Sequence, residues 1–310
     1  MTTPDERPVL GVDLGGTNMR VAVVAAGGRI TSRIVRPTPQ DDPEALGRLM
    51  REVASGLATP PRGAVVGVPA VVDYERGEAL RIANIPAWEG RLSARTLAAA
   101  TGLPVLLAND ADLAAIGEHR YGAGRGATDM VYVTISTGVG AGVVLGDRLV
   151  HGRRSIAEVG HTVIDYRNAT PGDAARTGTV EGLGSGTALA RISGAGGAEV
   201  TRRAQAGDAQ ALAWLAEVVA AFAVGVANLV ESFMPERVVI GGGVSQAGDL
   251  LLLPVREHLA RSHARELIEP AAIVLASGGD DVGLRGCYAL WEDCESPAPP
   301  SILLTPFLPG

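Results

Sequence analysis

One strand layout occurs twice in this chain, and that repeat restricts the fold more than any other feature. From Val9 to Leu14 the residues alternate as a strand. The chain then turns through Gly15-Gly16-Thr17-Asn18, continues as a second strand Met19–Ala26, and turns at Gly27-Gly28 toward a third, Arg29–Val35. The same order returns at Val131–Thr137, followed by the glycine turn Gly138-Val139-Gly140, the strand Ala141–Leu145, a turn at Gly146-Asp147 and the strand Arg148–Val150. A duplicated three-stranded meander with a glycine turn between its first two strands predicts two similar α/β lobes facing one another across a cleft. With 310 residues, 46% of them hydrophobic, the chain has enough apolar material for two cores.

The segments between the copies fit mixed α/β lobes. Asp42 is placed to cap a helix with Pro43 at its first position, and Leu46, Leu49, Met50, Val53 and Leu57 form an apolar stripe at helical spacing. Ala64–Val68 and Val105–Ala108 read as short buried strands, and Leu113–Glu118 as the start of a helix. Further helices are expected around 186–192, 208–233 and 248–261, with strands at Arg237–Ile240 and Ala272–Ala276 and a last helix from Gly283 to Trp291. Residues 296–310, rich in proline, read as a flexible tail.

Composition excludes several chemistries. All 27 basic residues are arginine. A Walker P-loop, a protein kinase and a Schiff-base enzyme each need a lysine, so none of these is available. A net charge of −7 argues against nucleic-acid or anionic-membrane surfaces. The N-terminus holds no basic segment followed by an apolar stretch, which predicts a cytoplasmic chain without a secretory signal. The most hydrophobic stretch, Ala211–Val230, carries Glu217 and Asn228, and its uncharged core is well short of the ~20 residues that span a bilayer. It reads as a buried helix. Cys287 and Cys294 fall on one helix, about 10 Å apart along its axis, too far for a disulfide.

Five motifs carry chemistry. Asp13 lies at a strand end just before Gly15-Gly16-Thr17-Asn18, where turn N–H groups can approach phosphate oxygens and a carboxylate can hold Mg²⁺ through water. Thr134–Gly142 is its counterpart; a strand follows rather than a helix, so the dinucleotide-binding reading fails. Gly241-Gly242-Gly243 ends a buried strand, either to let an adenine or ribose lie against backbone or simply to make a tight connection. Asn109-Asp110 opens a helix after a strand, a position for a general base on a hydroxyl or for a helix cap. Glu158 and His161 stand three residues apart with Glu181 further on, polar groups suited to sugar hydroxyls.

In this order and spacing, the DLGGTN, NDA, STGVGAG, ExGH and IGGGV segments resemble the ROK family of bacterial sugar kinases and repressors, its glucokinase branch above all, over about Val9 to Trp291. The resemblance implies an α/β, two-lobed actin-like ATPase (ribonuclease H-like) fold with a nucleotide and sugar cleft between lobes. It implies a small lobe at 1–120 joined by the C-terminal helix 283–295, and a large lobe at 121–282. By position, Asp110 is the general base and Asp13 helps hold Mg²⁺. Gly15, Gly16, Thr17, Asn18, Thr137 and Gly138 surround the ATP phosphates, with Gly241, Gly242 and Gly243 at adenosine. Asn84, Asn109, Asp110, Glu158, His161 and Glu181 contact the sugar. Closing the lobes and excluding water then supplies most of the catalysis. Homodimers or homotetramers are the family's common assemblies.

Two departures stand out. Many members carry three cysteines after ExGH that bind structural zinc with the histidine, but the aligned positions here are Gly172, Ala174 and Thr179. With only His161 left as a ligand, no structural zinc is expected, and loop 165–180 must be ordered by other contacts or by sugar. Asp112 replaces a commonly neutral residue; it is either solvent-facing on the helix or a carboxylate for a substrate ammonium, as in an amino sugar such as kanosamine. The expected activity is ATP-dependent transfer to the 6-hydroxyl of glucose or such an amino sugar. N-acetylmannosamine, N-acetylglucosamine or fructose kinase, or a non-catalytic sugar-sensing regulator, is the alternative. The regulators usually carry a helix-turn-helix ahead of the glycine hairpin, and only eight residues precede Val9 here.

Overall fold

The computed structural model describes residues 6–82, 84–170, 172, 175–295 and 307–308. In chain order the elements begin β1 (Val9–Leu14), β2 (Asn18–Ala25), β3 (Arg29–Pro37), α1 (Glu44–Ser55), β4 (Gly63–Val68), β5 (Val71–Asp73) and β6 (Glu78–Arg81). Next come α2 (Ala94–Thr101), β7 (Val105–Asn109), α3 (Asp110–Tyr121), β8 (Met130–Ile135), β9 (Val139–Leu145), β10 (Arg148–Leu149), α4 (Val180–Gly184), α5 (Gly186–Ser193) and α6 (Gly197–Gln205). The chain finishes with α7 (Ala209–Phe233), β11 (Arg237–Gly241), α8 (Asp249–Arg261), β12 (Ile273–Leu275) and α9 (Val282–Glu295).

The chain divides into two units. The first comprises Met1–Gly122, Arg148–Ile156 and Gly278–Gly310. Its sheet has the order β3-β2-β1-β4-β7, antiparallel through the opening hairpins and parallel from β1 to β7. The strands β1 and β4 are buried along nearly their whole length, as expected where helices cover a parallel sheet. α9 lies against α3 and β1. That close approach needs glycine: an added Cβ at Gly286 would overlap the Leu113 carbonyl, and one at Gly117 the Val282 carbonyl. The segment Arg148–Ile156 joins this unit because it docks on β5. Arg154 bridges to Asp73, the Tyr74 N–H donates to the Arg153 carbonyl at 3.0 Å, and the Arg153 guanidinium pairs with Asp73 at 3.5 Å.

The second unit comprises Ala123–Asp147 and Ala157–Ser277. Its strands run β9-β8-β11-β12, one antiparallel pair followed by parallel neighbours, the arrangement of β2-β1-β4-β7 in the first unit. The duplicated meander is therefore a duplicated sheet. α7 is long and apolar enough to cross a membrane by length and composition. Its stripe of Leu215, Val218, Val219, Phe222, Val226, Leu229 and Val230 is nevertheless buried at helical spacing, and the helix packs on α4, α6 and α8 as a core element.

Several local expectations change. Asp42 does not cap α1: the cap position is Pro43 without a side-chain bond, because the Asp42 carboxylate is taken by Arg48. The second glycine turn falls two residues earlier than its sequence suggests, at Ser136-Thr137-Gly138, and Val139 already belongs to β9. α2 and α6 were not anticipated. α2 starts with a capping box made by Ser93 and Thr96, where the usual signature has Glu or Gln in the second place, and α6 starts at Gly196 with no side-chain cap. Most of the tail 296–310 lies outside the described residues, but Phe307 pairs with Val105 on the edge strand β7 through hydrogen bonds of 3.0 and 2.9 Å.

Candidate active site

In the first unit the candidate residues gather at the ends of β1 and β7. The β1–β2 turn closes with the Gly15 N–H donating to the Asn18 carbonyl at 2.9 Å. Its other carbonyls are spoken for: Gly15 O accepts from the Thr38 hydroxyl at 2.7 Å, Gly16 O from the Gln40 amide at 2.9 Å, and Thr17 O from the Thr38 N–H at 2.8 Å. A turn whose oxygens are engaged by protein donors presents N–H groups, rather than repelling carbonyls, to an anion. A Cβ at Gly16 would lie 2.9 Å from the Asn84 Cβ, so Asn84 stands directly against this turn.

Asp13 is half-buried and pairs with Arg20 at 2.7 Å. Burial pushes its pKa up, Arg20 opposes the shift, and the nearby Asp281 adds to it. The carboxylate is a hard oxygen donor of the type Mg²⁺ takes, and among the described residues no group of three or more His, Cys, Asp or Glu forms a metal cage. One carboxylate at this strand end would leave an ion to complete its shell with water and phosphate. Arg20 was missed in the sequence, although the register Asp13↔Arg20 across the β1–β2 hairpin sets the two side by side.

At the end of β7, Asn109 caps α3, its side-chain oxygen accepting from the N–H groups of Ala111 at 2.8 Å and Asp112 at 3.3 Å. Its amide donates to the Ala70 carbonyl at 3.0 Å, leaving one amide hydrogen for a ligand. Asp110 follows as an exposed carboxylate on the first turn of the helix, with one oxygen near its neighbour Ala111 N–H at 2.9 Å. Asp112 is not solvent-facing. It is fully buried and accepts a 2.5 Å hydrogen bond from the Tyr74 hydroxyl, which corrects the solvent-facing reading and leaves the alternative, a carboxylate offered to a substrate ammonium, without an exposed oxygen.

In the second unit the counterpart turn has the same economy. Ser136 O accepts from the Gly186 N–H at 2.7 Å, Thr137 O from Thr187 through its N–H and its hydroxyl at 3.2 and 2.7 Å, and Gly138 O from the Ser136 N–H at 2.9 Å. Val139 is the hub. Its N–H donates to Glu181 at 2.9 Å, and its carbonyl lies where a Cβ on Gly160 would be. The turn Glu158–His161, its two side chains 3.7 Å apart and partly exposed, and Glu181 are thus both drawn to this glycine hairpin. The other Glu181 oxygen is held by Arg176, a partner no sequence motif announces.

The three glycines at the end of β11 divide. Gly241 and Gly242 are explained by packing, since side chains there would strike the Tyr132 hydroxyl and the Ile135 carbonyl; Gly242 also has φ 92°. Gly243 has open space around its missing Cβ and is the one left for a ligand. Where the zinc cysteines would stand, Thr179 caps α4 through the Gly182 N–H at 3.1 Å and bridges to Val163. The Gly178 carbonyl accepts from Ile164 and Asp165 at 2.9 and 3.0 Å. Ala174 lies outside the described residues.

Two α/β units, each with an antiparallel hairpin feeding parallel strands, are the architecture of the actin-like ATPase fold. The ROK family model matches residues 9–294, and the chain belongs to that family. A glucokinase of Halalkalibacterium halodurans is 31% identical over 312 residues, covering 91% of this chain and 94% of that one. An N-acetylmannosamine kinase of Escherichia fergusonii is 32% identical over 292 residues, covering 91% and 97%. Among solved structures, a ROK family glucokinase from Streptomyces griseus in complex with glucose and AMPPNP has a TM-score of 0.74 at 30% identity, with 90% of this chain and 97% of that one covered.

Proposed function

We propose that this protein is an ATP-dependent sugar kinase that transfers the γ-phosphate to the 6-hydroxyl of a hexose, with glucose first among the candidates. The observation that carries the reading is Asp110: an exposed carboxylate at the junction of β7 and α3, its backbone fixed by the Asn109 cap. There it can take the proton of a sugar hydroxyl as that oxygen attacks phosphorus. The engaged carbonyls of the turns at Gly15-Gly16-Thr17 and Ser136-Thr137-Gly138 support the two as phosphate loops. Gly243 is the place for adenosine. Mg²⁺, held near Asp13, supplies charge neutralisation on the phosphates when bound.

Asn84, beside Gly16, the remaining amide hydrogen of Asn109, and Glu158, His161 and Glu181 are the candidates for sugar contacts. Because Asp112 is committed to Tyr74, kanosamine loses the residue that favoured it. N-acetylmannosamine is the second reading, on the strength of the relative of that name.

The test is ADP release from Mg-ATP over glucose, mannose, fructose, N-acetylglucosamine, N-acetylmannosamine, glucosamine and kanosamine, with products identified by mass. Asp110→Asn is expected to lower turnover by about 10²–10⁴-fold while sugar still binds. Absence of turnover for every sugar, in protein that binds ATP, would move the reading to a sugar sensor.

A further inference from the structure

Asp110 is exposed, yet two residues along the same helical turn Asp112 has no exposed surface at all. A buried carboxylate is costly unless hydrogen-bonded. The residue that meets it, Tyr74, comes from the end of β5, far away in sequence, and is itself 8% exposed. The Tyr74 hydroxyl does two things at once. It donates to Asp112 Oδ2 at 2.5 Å and accepts from the backbone N–H of Asn109 at 3.4 Å. Burial and the neighbouring Asp112 charge hold the phenol proton on, well above the ordinary tyrosine range, so the hydroxyl remains a donor at any physiological pH. Its ring packs against His151, with centroids 4.7 Å apart.

The geometry points to Tyr74 and Asp112 as positioning residues for the base: a buried phenol–carboxylate pair clamps the underside of the Asn109–Asp112 turn, so that Asp110 is presented in one orientation. Neither side chain touches substrate. The Asn109 side chain cannot do this alone, because it holds only the N–H groups above it and the Ala70 carbonyl beside it. The clamp acts from below, on the backbone N–H that precedes Asp110. This inference rests on the kinase reading.

The experiment measures kcat, sugar KM and Tm for the wild type, Tyr74→Phe, Asp112→Asn and the double variant. Tyr74→Phe removes the hydroxyl at nearly constant volume, and misplacing a catalytic group by about 1 Å costs on the order of 100-fold. The expected result is a kcat lower by about 10- to 100-fold with KM nearly unchanged. Asp112→Asn keeps an acceptor for the phenol and should fall between wild type and Tyr74→Phe. The double variant should be no worse than Tyr74→Phe alone, since both remove one interaction. Unchanged kcat in Tyr74→Phe, additive losses in the double variant, or a fall in kcat that tracks a fall in folded fraction would each overturn the proposal. If Tyr74→Phe does not fold, Asp112→Asn decides the matter by the same split of kcat against KM. An inactive wild type overturns the kinase reading, and this inference with it.

Discussion

Two glycines three residues apart on α9 should respond to alanine with opposite signs. A Cβ at Gly286 would stand 2.9 Å from the carbonyl carbon of Leu113, with the carbonyl oxygen closer still, and 3.2 Å from the Gly117 nitrogen. These are backbone atoms of α3, with no rotamer to swing aside, so the two helices must move apart. Overpacking of this kind costs about 1–3 kcal/mol, and a clash with backbone belongs at the top of that range. At roughly 2–4 °C per kcal/mol for a domain of this size, Gly286→Ala should lower Tm by about 6–12 °C. A Cβ at Gly283 meets nothing within 4 Å. There the helix gains up to about 1 kcal/mol, and Tm should hold or rise by a few degrees. Thermal melts followed by circular dichroism measure both. Because the first turn of α3 carries Asp110, Gly286→Ala should also lose turnover at temperatures where it remains folded. Equal melting temperatures for the two variants, or a stabilised Gly286→Ala, would refute the close α3–α9 crossing.

Both thiols should be inert in the native protein: burial pushes Cys294 up to about 12 and Cys287 further still. At pH 8 that leaves a thiolate fraction on the order of 10⁻⁴, so maleimide labelling should await denaturant. Asp13 has a raised folded pKa, so its contribution to stability is present at low pH and is lost as pH rises through that value. Urea unfolding should therefore show Asp13→Asn gaining on the wild type as pH rises from below the ordinary aspartate value to neutrality, while phosphorylation fails; a gap that does not change with pH would sink the burial argument. A chain ended at Glu295 removes Phe307 from its bonds with Val105 and its seat near Gly77 and Arg95, and should melt lower than the full chain.

Local geometry was the legible part. Strand periodicity, glycine turns and their recurrence were enough to place the opening hairpin of each sheet, because a hairpin is written in consecutive residues. Caps were less legible. Asp42 has the right chemistry for a cap, but the cap position falls one residue later, on Pro43, and the Asp42 carboxylate pairs with Arg48, six residues on. Least legible were the partners that the fold brings from afar. Asp112 looked like a surface residue because its own helix says nothing of Tyr74, which arrives from β5. Arg176 likewise follows no motif, and only the folded loop sets it on Glu181. Arg20 is the instructive exception: counting across the β1–β2 turn would have found it.

The loop after ExGH lacks the cysteines with which many family members bind a structural metal. A zinc ion orders its loop by drawing four ligands together, and of those only His161 is present here, the cysteine positions being Gly172, Ala174 and Thr179; bonds within the chain tie this loop. Among the described residues, the Gly178 carbonyl ties down Ile164 and Asp165, Thr179 starts α4, and Arg176, with φ 51°, turns its guanidinium onto Glu181. Glu181 in turn reaches the Val139 N–H on the glycine hairpin. An ion pair transmits position only while both charges persist. Arg176→Gln should accordingly raise the sugar KM several-fold with little change in Tm, and a zinc chelator should alter neither the KM nor the melting of the wild type. A chelator that lowers the wild-type Tm would mean that a metal, and not Arg176, holds this loop.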